Sequence, residues 1–120
     1  MYIESFKNLI VWQKSVDLAK KIYRITEEFP KSETYGLTSQ MRRSAVSVPS
    51  NIAEGKKRKT KNDFLQFLRI ADGSSAELET QILIAKDLYS DINFSEAENL
   101  LVEIQKMLTT IIKNLEASRS

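Results

Sequence analysis

The densest run of chemically active side chains is Gly55-Lys56-Lys57-Arg58-Lys59-Thr60. Cations packed this closely attract phosphate oxygens. Where such a loop feeds a helix N-terminus, free amides and the helix dipole add to the pull. The plainer alternative is that lysines following a helix C-terminus complement its dipole and keep the loop hydrated. With the loop go Arg42, Arg43 and Lys61, which makes Arg42, Arg43, Lys56, Lys57, Arg58, Lys59 and Lys61 the candidate phosphate contacts. No aromatic residue interrupts the loop before Phe64, which is expected in the core. Contacts should therefore be electrostatic rather than stacked.

A second pattern precedes the loop. Gln40, Arg43, Ser47, Asn51 and Glu54 recur at steps of 3-4-4-3 and so share one helix face. The face is either solvated or a polar seam against another subunit, where Asn, Gln and Arg would fix register. The net charge of +2 hides an asymmetry: residues 42–69 hold eight bases against two acids, and 72–103 hold eight acids against Lys86 alone. Opposite charges on neighbouring copies would assist assembly.

Catalytic chemistry is poorly provided for. The chain has no His and no Cys, which removes thiol nucleophiles, His-based relays, disulfides and His- or Cys-ligated metals. Glu77 and Glu79 lie two apart on a helix and do not face each other. Pairing Glu54 with Glu77 across helices needs the fold to allow it. The run at 55–60 lacks the second glycine of a phosphate-cradling loop. The chain is expected not to be an enzyme and to need no cofactor.

These residues must be positioned by helices. In 120 residues there are only 3 Gly and 2 Pro, too few for a turn-rich β fold, with 42% hydrophobic and 28% charged residues. No apolar run approaches a membrane span, and MYIESFKN carries no signal-peptide core. A cytoplasmic protein with no membrane role is expected. Apolar spacing predicts four helices, at about 7–29, 36–54, 61–89 and 95–117. In the first, Leu9, Trp12, Val16, Ala19, Tyr23 and Thr26 run beside a row of Val11, Ser15, Leu18, Ile22, Ile25 and Phe29. The second carries Leu37, Met41, Ala45, Val48 and Ile52, with Pro49 inside it. A kink is expected there, with Ser47 and Ser50 helping to satisfy freed backbone groups. Gly55 is expected at the C′ position that closes this helix.

The third helix is expected to start at an N-cap Thr60, with Asp63 in its first turn. Its stripe is Phe64, Leu68, Ala71, Ser75, Leu78, Ile82, Ala85 and Tyr89. Gly73, Ser74 and Ser75 suggest a close helix approach at its middle. The fourth is expected to be capped by Ser95, with Glu98 completing a capping box. Its stripe is Ala97, Leu101, Ile104, Leu108, Ile111 and Leu115, and the tail ASRS should fray. The sum is an all-α single domain, an antiparallel up-down-up-down four-helix bundle with its second helix kinked near Pro49.

Three segments resemble a known family: VWQKSVDLAKKIY at 11–23, FPKSETYGLTSQMRRSAVSVPSNIAEG at 29–55 and FLQFLRIADGSSAELETQILIA at 64–85. They are similar to the four-helix bundle family named after the 23S ribosomal RNA intervening-sequence protein, over roughly residues 6–117. The resemblance implies a small bacterial protein assembling into a homo-oligomeric ring, typically a homopentamer. It also implies kinship with the accessory variability proteins of diversity-generating retroelements, which bind nucleic acid and partner a reverse transcriptase. Many members have no established role. The family block places Gln40, Arg42, Arg43, Ser47, Pro49, Asn51, Glu54 and Gly55 at its second-helix positions, and Gly73, Ser74, Glu77 and Glu79 at its third. Ser44 stands where the family often has Ala, and Val48 where it often has Ile. A charge of +2 is low for a reverse-transcriptase partner. The expectation is a non-enzymatic oligomer that binds RNA or DNA backbone, against the alternative of a protein-interaction scaffold.

Overall fold

The computed structural model describes residues 5–118. Four helices make up most of them: α1 (Ile10–Thr26), α2 (Leu37–Lys56), α3 (Lys61–Leu88) and α4 (Ser95–Ala117). Two single turns of 3-10 helix, Phe6–Asn8 and Lys31–Glu33, precede α1 and α2, and no strand occurs among the described residues. The first helix is thus shorter than its apolar spacing suggests. Residues 6–8 form a separate turn capped by the Ser5 side chain, and Phe29 lies buried in the loop beyond α1. Arg119 and Ser120, half of the tail expected to fray, lie outside the described residues.

Each helix buries one stripe. On α1 it is Val11, Ser15, Leu18, Ala19, Ile22 and Thr26, whereas Tyr23, expected on an apolar row, is exposed. On α2 all five positions read from spacing are buried, joined by Thr38, Ser44, Pro49 and Gly55. On α3 Leu65 and Ser74 join the buried row, while Phe64 and Tyr89 at its two ends are only half-buried. On α4 Ala97, Leu101, Ile104 and Leu108 are buried, and Ile111 and Leu115 are half-buried. Fully burying a leucine such as Leu18, Leu68, Leu78 or Leu108 contributes about 1.5–3 kcal/mol each. The helices pack in a cycle: α1 on α2, α2 on α3, α3 on α4 and α4 on α1.

The α2–α3 seam is the tightest, because small residues line it. Gly55 lies within α2 rather than closing it: a Cβ there would sit 2.7 Å from Phe67 Cβ and 3.0 Å from Phe64 Cδ1. No glycine among the described residues has positive φ, so none serves as a left-handed C′ residue. Further along, the Ser47 and Ser74 hydroxyls share a 2.8 Å hydrogen bond. Gly73 takes no part in this approach: it is exposed, and a Cβ on it would meet nothing within 4 Å. Ser74 carries the close approach to α2 instead, while Ser75 is buried on the side of α4, where Gln105 donates to it.

Helix α2 continues without a break through Pro49, which is buried. Ser47 does not turn back to the freed carbonyl of Ala45. Its hydroxyl meets Ser74 and accepts from Asn51 Nδ2 at 2.9 Å. The Thr60 cap forms as expected, its hydroxyl accepting from the Asp63 amide at 3.1 Å. The α4 cap does not. Ser95 is already helical, and Asn93 Oδ1 accepts both from its amide at 2.9 Å and from its hydroxyl at 2.7 Å.

Cross-helix ion pairs trim the outer surface. Lys14 meets Glu103 at 3.1 Å, Lys21 meets Glu96 at 3.2 Å, Arg69 meets Glu116 at 2.6 Å and Lys86 meets Glu98 at 2.9 Å. Exposed pairs of this kind contribute about 0.2–1 kcal/mol each. Four of the acids and bases behind the charge asymmetry are therefore already neutralised.

Candidate nucleic-acid interface

The basic loop is held by the packing beneath it. With Gly55 set against Phe64 and Phe67, α2 can approach the first turns of α3 closely enough for Lys57–Thr60 to bridge them. The Arg58 amide closes a turn on the Gly55 carbonyl at 3.1 Å. Lys56 Nζ lies 5.8 Å from the centre of the Phe64 ring, and the Arg58 guanidinium lies 4.8 Å from that of Phe67. Arg58 also donates to Glu54 Oε2 at 2.9 Å. Lys61 reaches the end of α4, where its Nζ donates to the Ser118 carbonyl at 2.6 Å.

Two cations remain. Lys57 and Lys59 are exposed, and among the described residues neither has an ion-pair or hydrogen-bond partner for its ammonium. Five positive side chains thus surround the start of α3, whose dipole has the same sign at that end. A phosphate oxygen arriving here meets two ammonium groups that need break no internal contact to bind it. Phe64 is half-buried rather than in the core, and Lys56 lies over it. Reading along the chain missed these two aromatic partners, because Phe64 and Phe67 reach the loop only across the α2–α3 turn.

Arg42 and Arg43 do not join this cluster. They sit in the second turn of α2, roughly 20 Å from Lys57 at 1.5 Å per residue. Arg42 is occupied at the end of α1. Its Nε donates to Thr26 Oγ1 at 2.8 Å, an Nη donates to the Tyr23 carbonyl at 3.2 Å, and its guanidinium stacks 4.5 Å from the centre of the Tyr23 ring. Arginine here adds a further donor to a Tyr23 carbonyl that already accepts from the Glu27 amide at 3.2 Å and from Thr26 Oγ1 at 3.1 Å. Arg43 is exposed and, among the described residues, has no ion-pair partner.

The polar stripe divides. Ser47, Asn51 and Glu54 are tied within the chain, to Ser74, to Ser47 and to Arg58 respectively. Gln40 and Arg43 are exposed. Glu54 does not meet Glu77, so the carboxylate pair considered from sequence is not formed. On the opposite side of α3, Gln105 Nε2 bridges Ser75 Oγ at 3.3 Å and Glu79 Oε1 at 3.0 Å. Among the described residues no three acidic side chains gather as a metal site would require, and no helix is long and apolar enough to cross a membrane.

Comparison with known proteins agrees with this architecture. A crystal structure of a protein of unknown function from the S23 ribosomal protein family of Bacteroides thetaiotaomicron superposes with a TM-score of 0.77. It is 26% identical, and the match covers 87% of this chain and 99% of that one. No curated relative matches the chain. The family described as 23S rRNA-intervening sequence protein matches residues 7–110, which takes in all of α1, α2 and α3 and most of α4. That match spans most of the chain, which belongs to the 23S rRNA-intervening sequence protein family.

Proposed function

We propose that the chain is a non-enzymatic, cytoplasmic homo-oligomer that binds the phosphate backbone of RNA or DNA through its basic loop. The observation that carries this reading is the pair Lys57 and Lys59, unpaired beside Lys56, Arg58 and Lys61 at the mouth of α3. The names of the family and of the crystallised relative make ribosomal RNA the first nucleic acid to test. The chain folds as an antiparallel up-down-up-down bundle. That order is supported by the pairs Lys61–Ser118, Arg69–Glu116 and Lys86–Glu98, which link early α3 to late α4 and the reverse. A bend of α2 at Pro49 follows from the missing amide there.

Two free lysines on one subunit bind weakly. An oligomer that sets copies side by side, five by resemblance, gathers their loops on one rim and multiplies the affinity. Binding should then fall steeply with salt, by about 0.7 in log–log slope for each phosphate neutralised on a single strand. Titration of a single-stranded RNA at two salt concentrations tests this. Lys57→Glu with Lys59→Glu should weaken binding and flatten the slope by about 1.4 per subunit engaged. Equal affinity and equal slope in the variant would remove the loop as the site. The competing scaffold reading, with a protein partner, would then stand, favoured by the exposed Leu83 and Val102 beside the α3–α4 groove.

A further inference from the structure

Among the described residues, Arg58 is the one cation of the basic loop paired with a carboxylate. Its guanidinium donates to Glu54 Oε2 at 2.9 Å, one turn back along the chain, and lies over the Phe67 ring at 4.8 Å from its centre. Phe67 is half-buried, with its Cβ set against Gly55 of the facing helix. The ring thus covers one side of the guanidinium and Glu54 holds one edge, while 47% of the side chain stays exposed. The exposed part lies on the side away from the ring.

A planar group with one face supported and the other in water is a stacking surface. Guanidinium planes take unpaired nucleobases on an open face much as aromatic rings do. Lys56 also lies over a ring, that of Phe64, but an ammonium has no flat face to offer. Arg42 lies over Tyr23, yet it is half-buried, spends its donors on Thr26 and the Tyr23 carbonyl, and stands toward the other end of α2. Arg58 instead sits between Lys57 and Lys59, the two lysines whose ammonium groups are free. A strand whose phosphates meet those groups brings a base within reach of the guanidinium. Neither the Glu54 pair nor the Phe67 contact adds much stability at an exposed site. Together they hold a long side chain in one place, so a base landing on it immobilises little that was free.

We infer that the Arg58 guanidinium, backed by Phe67 and held by Glu54, is a platform on which one unpaired nucleobase stacks while Lys57 and Lys59 hold the flanking phosphates. The ligand class is single-stranded RNA or DNA, or an unpaired loop of a folded one, because bases inside a duplex have both faces covered by their neighbours. The stretch from Gly55 to Thr60 has no aromatic residue of its own, and the ring that makes stacking available comes from α3. The inference rests on the phosphate-binding reading above and adds a base contact to it.

Two strands with the same phosphates separate the base contact from the charge: a mixed-sequence single-stranded RNA, and a strand of equal length whose riboses carry no bases. The full wild-type chain should bind the first about fivefold or more tightly than the second at one salt concentration. Arg58→Lys keeps the charge and removes the flat face, at an exposed position where the helix packing beneath is unchanged. It should lose that advantage while binding the abasic strand as wild type does, with the same salt slope. Phe67→Leu, checked for helicity by circular dichroism, should lose the advantage too. Annealing the RNA to its complement should make wild type and Arg58→Lys bind alike. Equal wild-type affinity for the two single strands, with steep salt dependence, overturns the platform and leaves the phosphate reading standing. A loss in Arg58→Lys that is as large on the abasic strand also overturns it, by showing that Arg58 grips phosphate. A wild type that binds neither strand overturns both readings.

Discussion

Tyr89 donates its phenolic hydrogen to Glu33 Oε2 across 2.5 Å, while Glu33 Oε1 accepts the Leu37 amide at 3.1 Å. One carboxylate therefore caps the start of α2 and anchors the residue that follows α3. Phe29 fills the space between, with its ring 5.1 Å from Tyr89 and 6.3 Å from Phe94. The α1–α2 loop is held at both edges by this arrangement.

Acid should undo that clasp. The Tyr89 hydrogen bond, and then that of the Leu37 amide, hold the Glu33 carboxyl below the ordinary glutamate range. Its contribution is present above about pH 4.3 and is lost as pH falls through the lowered folded value. The same bond, then burial and the Glu33 charge, push the Tyr89 phenol above the ordinary tyrosine range. That contribution is complete below about pH 10 and is lost as pH rises through the raised value. Denaturation midpoints across pH should show both losses in wild type. Glu33→Gln and Tyr89→Phe should be less stable near neutrality and flatter at the two extremes. Parallel curves for wild type and variants would show that the clasp contributes nothing.

The two interior helix glycines should respond in opposite directions to the same substitution. Gly55→Ala puts a methyl 2.7 Å from Phe67 Cβ, so the helices must separate or the ring must shift. Overpacking of this kind costs about 1–3 kcal/mol, enough to outweigh the roughly 1 kcal/mol gained in helix propensity. Gly73→Ala meets nothing within 4 Å of its own chain and should gain about 1 kcal/mol. Urea denaturation at low protein concentration, where the isolated chain unfolds, measures both. A stabilising Gly55→Ala would show that the α2–α3 seam has room to spare.

Much of the fold was legible because it depends on residues three and four apart. The stripes of α2 and α4, the Thr60 cap and the charge run at 56–61 all come from local spacing. What failed was decided at long range. Gly55 resembles a helix terminator by residue type, but its glycine is required by Phe64 and Phe67, which arrive from the next helix. Arg42 resembles a member of the basic cluster until Thr26 and the Tyr23 carbonyl are set beside it. Lys61 looks free in the sequence, yet its partner Ser118 lies 57 positions away. The same limit applies to the candidate site: the sequence counts its cations, and only the fold separates Lys57 and Lys59 from those already engaged.

Asn93 rather than Ser95 should govern the start of α4. The Asn93 carboxamide oxygen accepts the Ser95 amide, one of the donors that a helix N-terminus leaves unpaired. Asn93→Ala should cost about 1 kcal/mol, the usual effect of removing a cap, whereas Ser95→Ala should cost less because it leaves that amide bonded. Thermal denaturation of the two variants ranks them, and the reverse order would restore Ser95 as the cap.

Arg42 should prove structural where its charge suggests nucleic-acid binding. Arg42→Ala strips two donors and a stacked cation from the end of α1, leaving the Tyr23 carbonyl without its arginine donor. Charge-assisted hydrogen bonds of this kind contribute about 1.5–3 kcal/mol, so the variant should unfold at clearly lower denaturant. Arg42→Lys should recover only part of the loss, since an ammonium cannot present the planar fork that reaches Thr26 and Tyr23 together. RNA affinity, measured well below the melting point, should stay at the wild-type level in both variants. That separates Arg42 from Lys57 and Lys59, whose removal should do the reverse by weakening binding and leaving stability nearly unchanged. An Arg42→Ala protein of wild-type stability that no longer binds RNA would return this arginine to the interface.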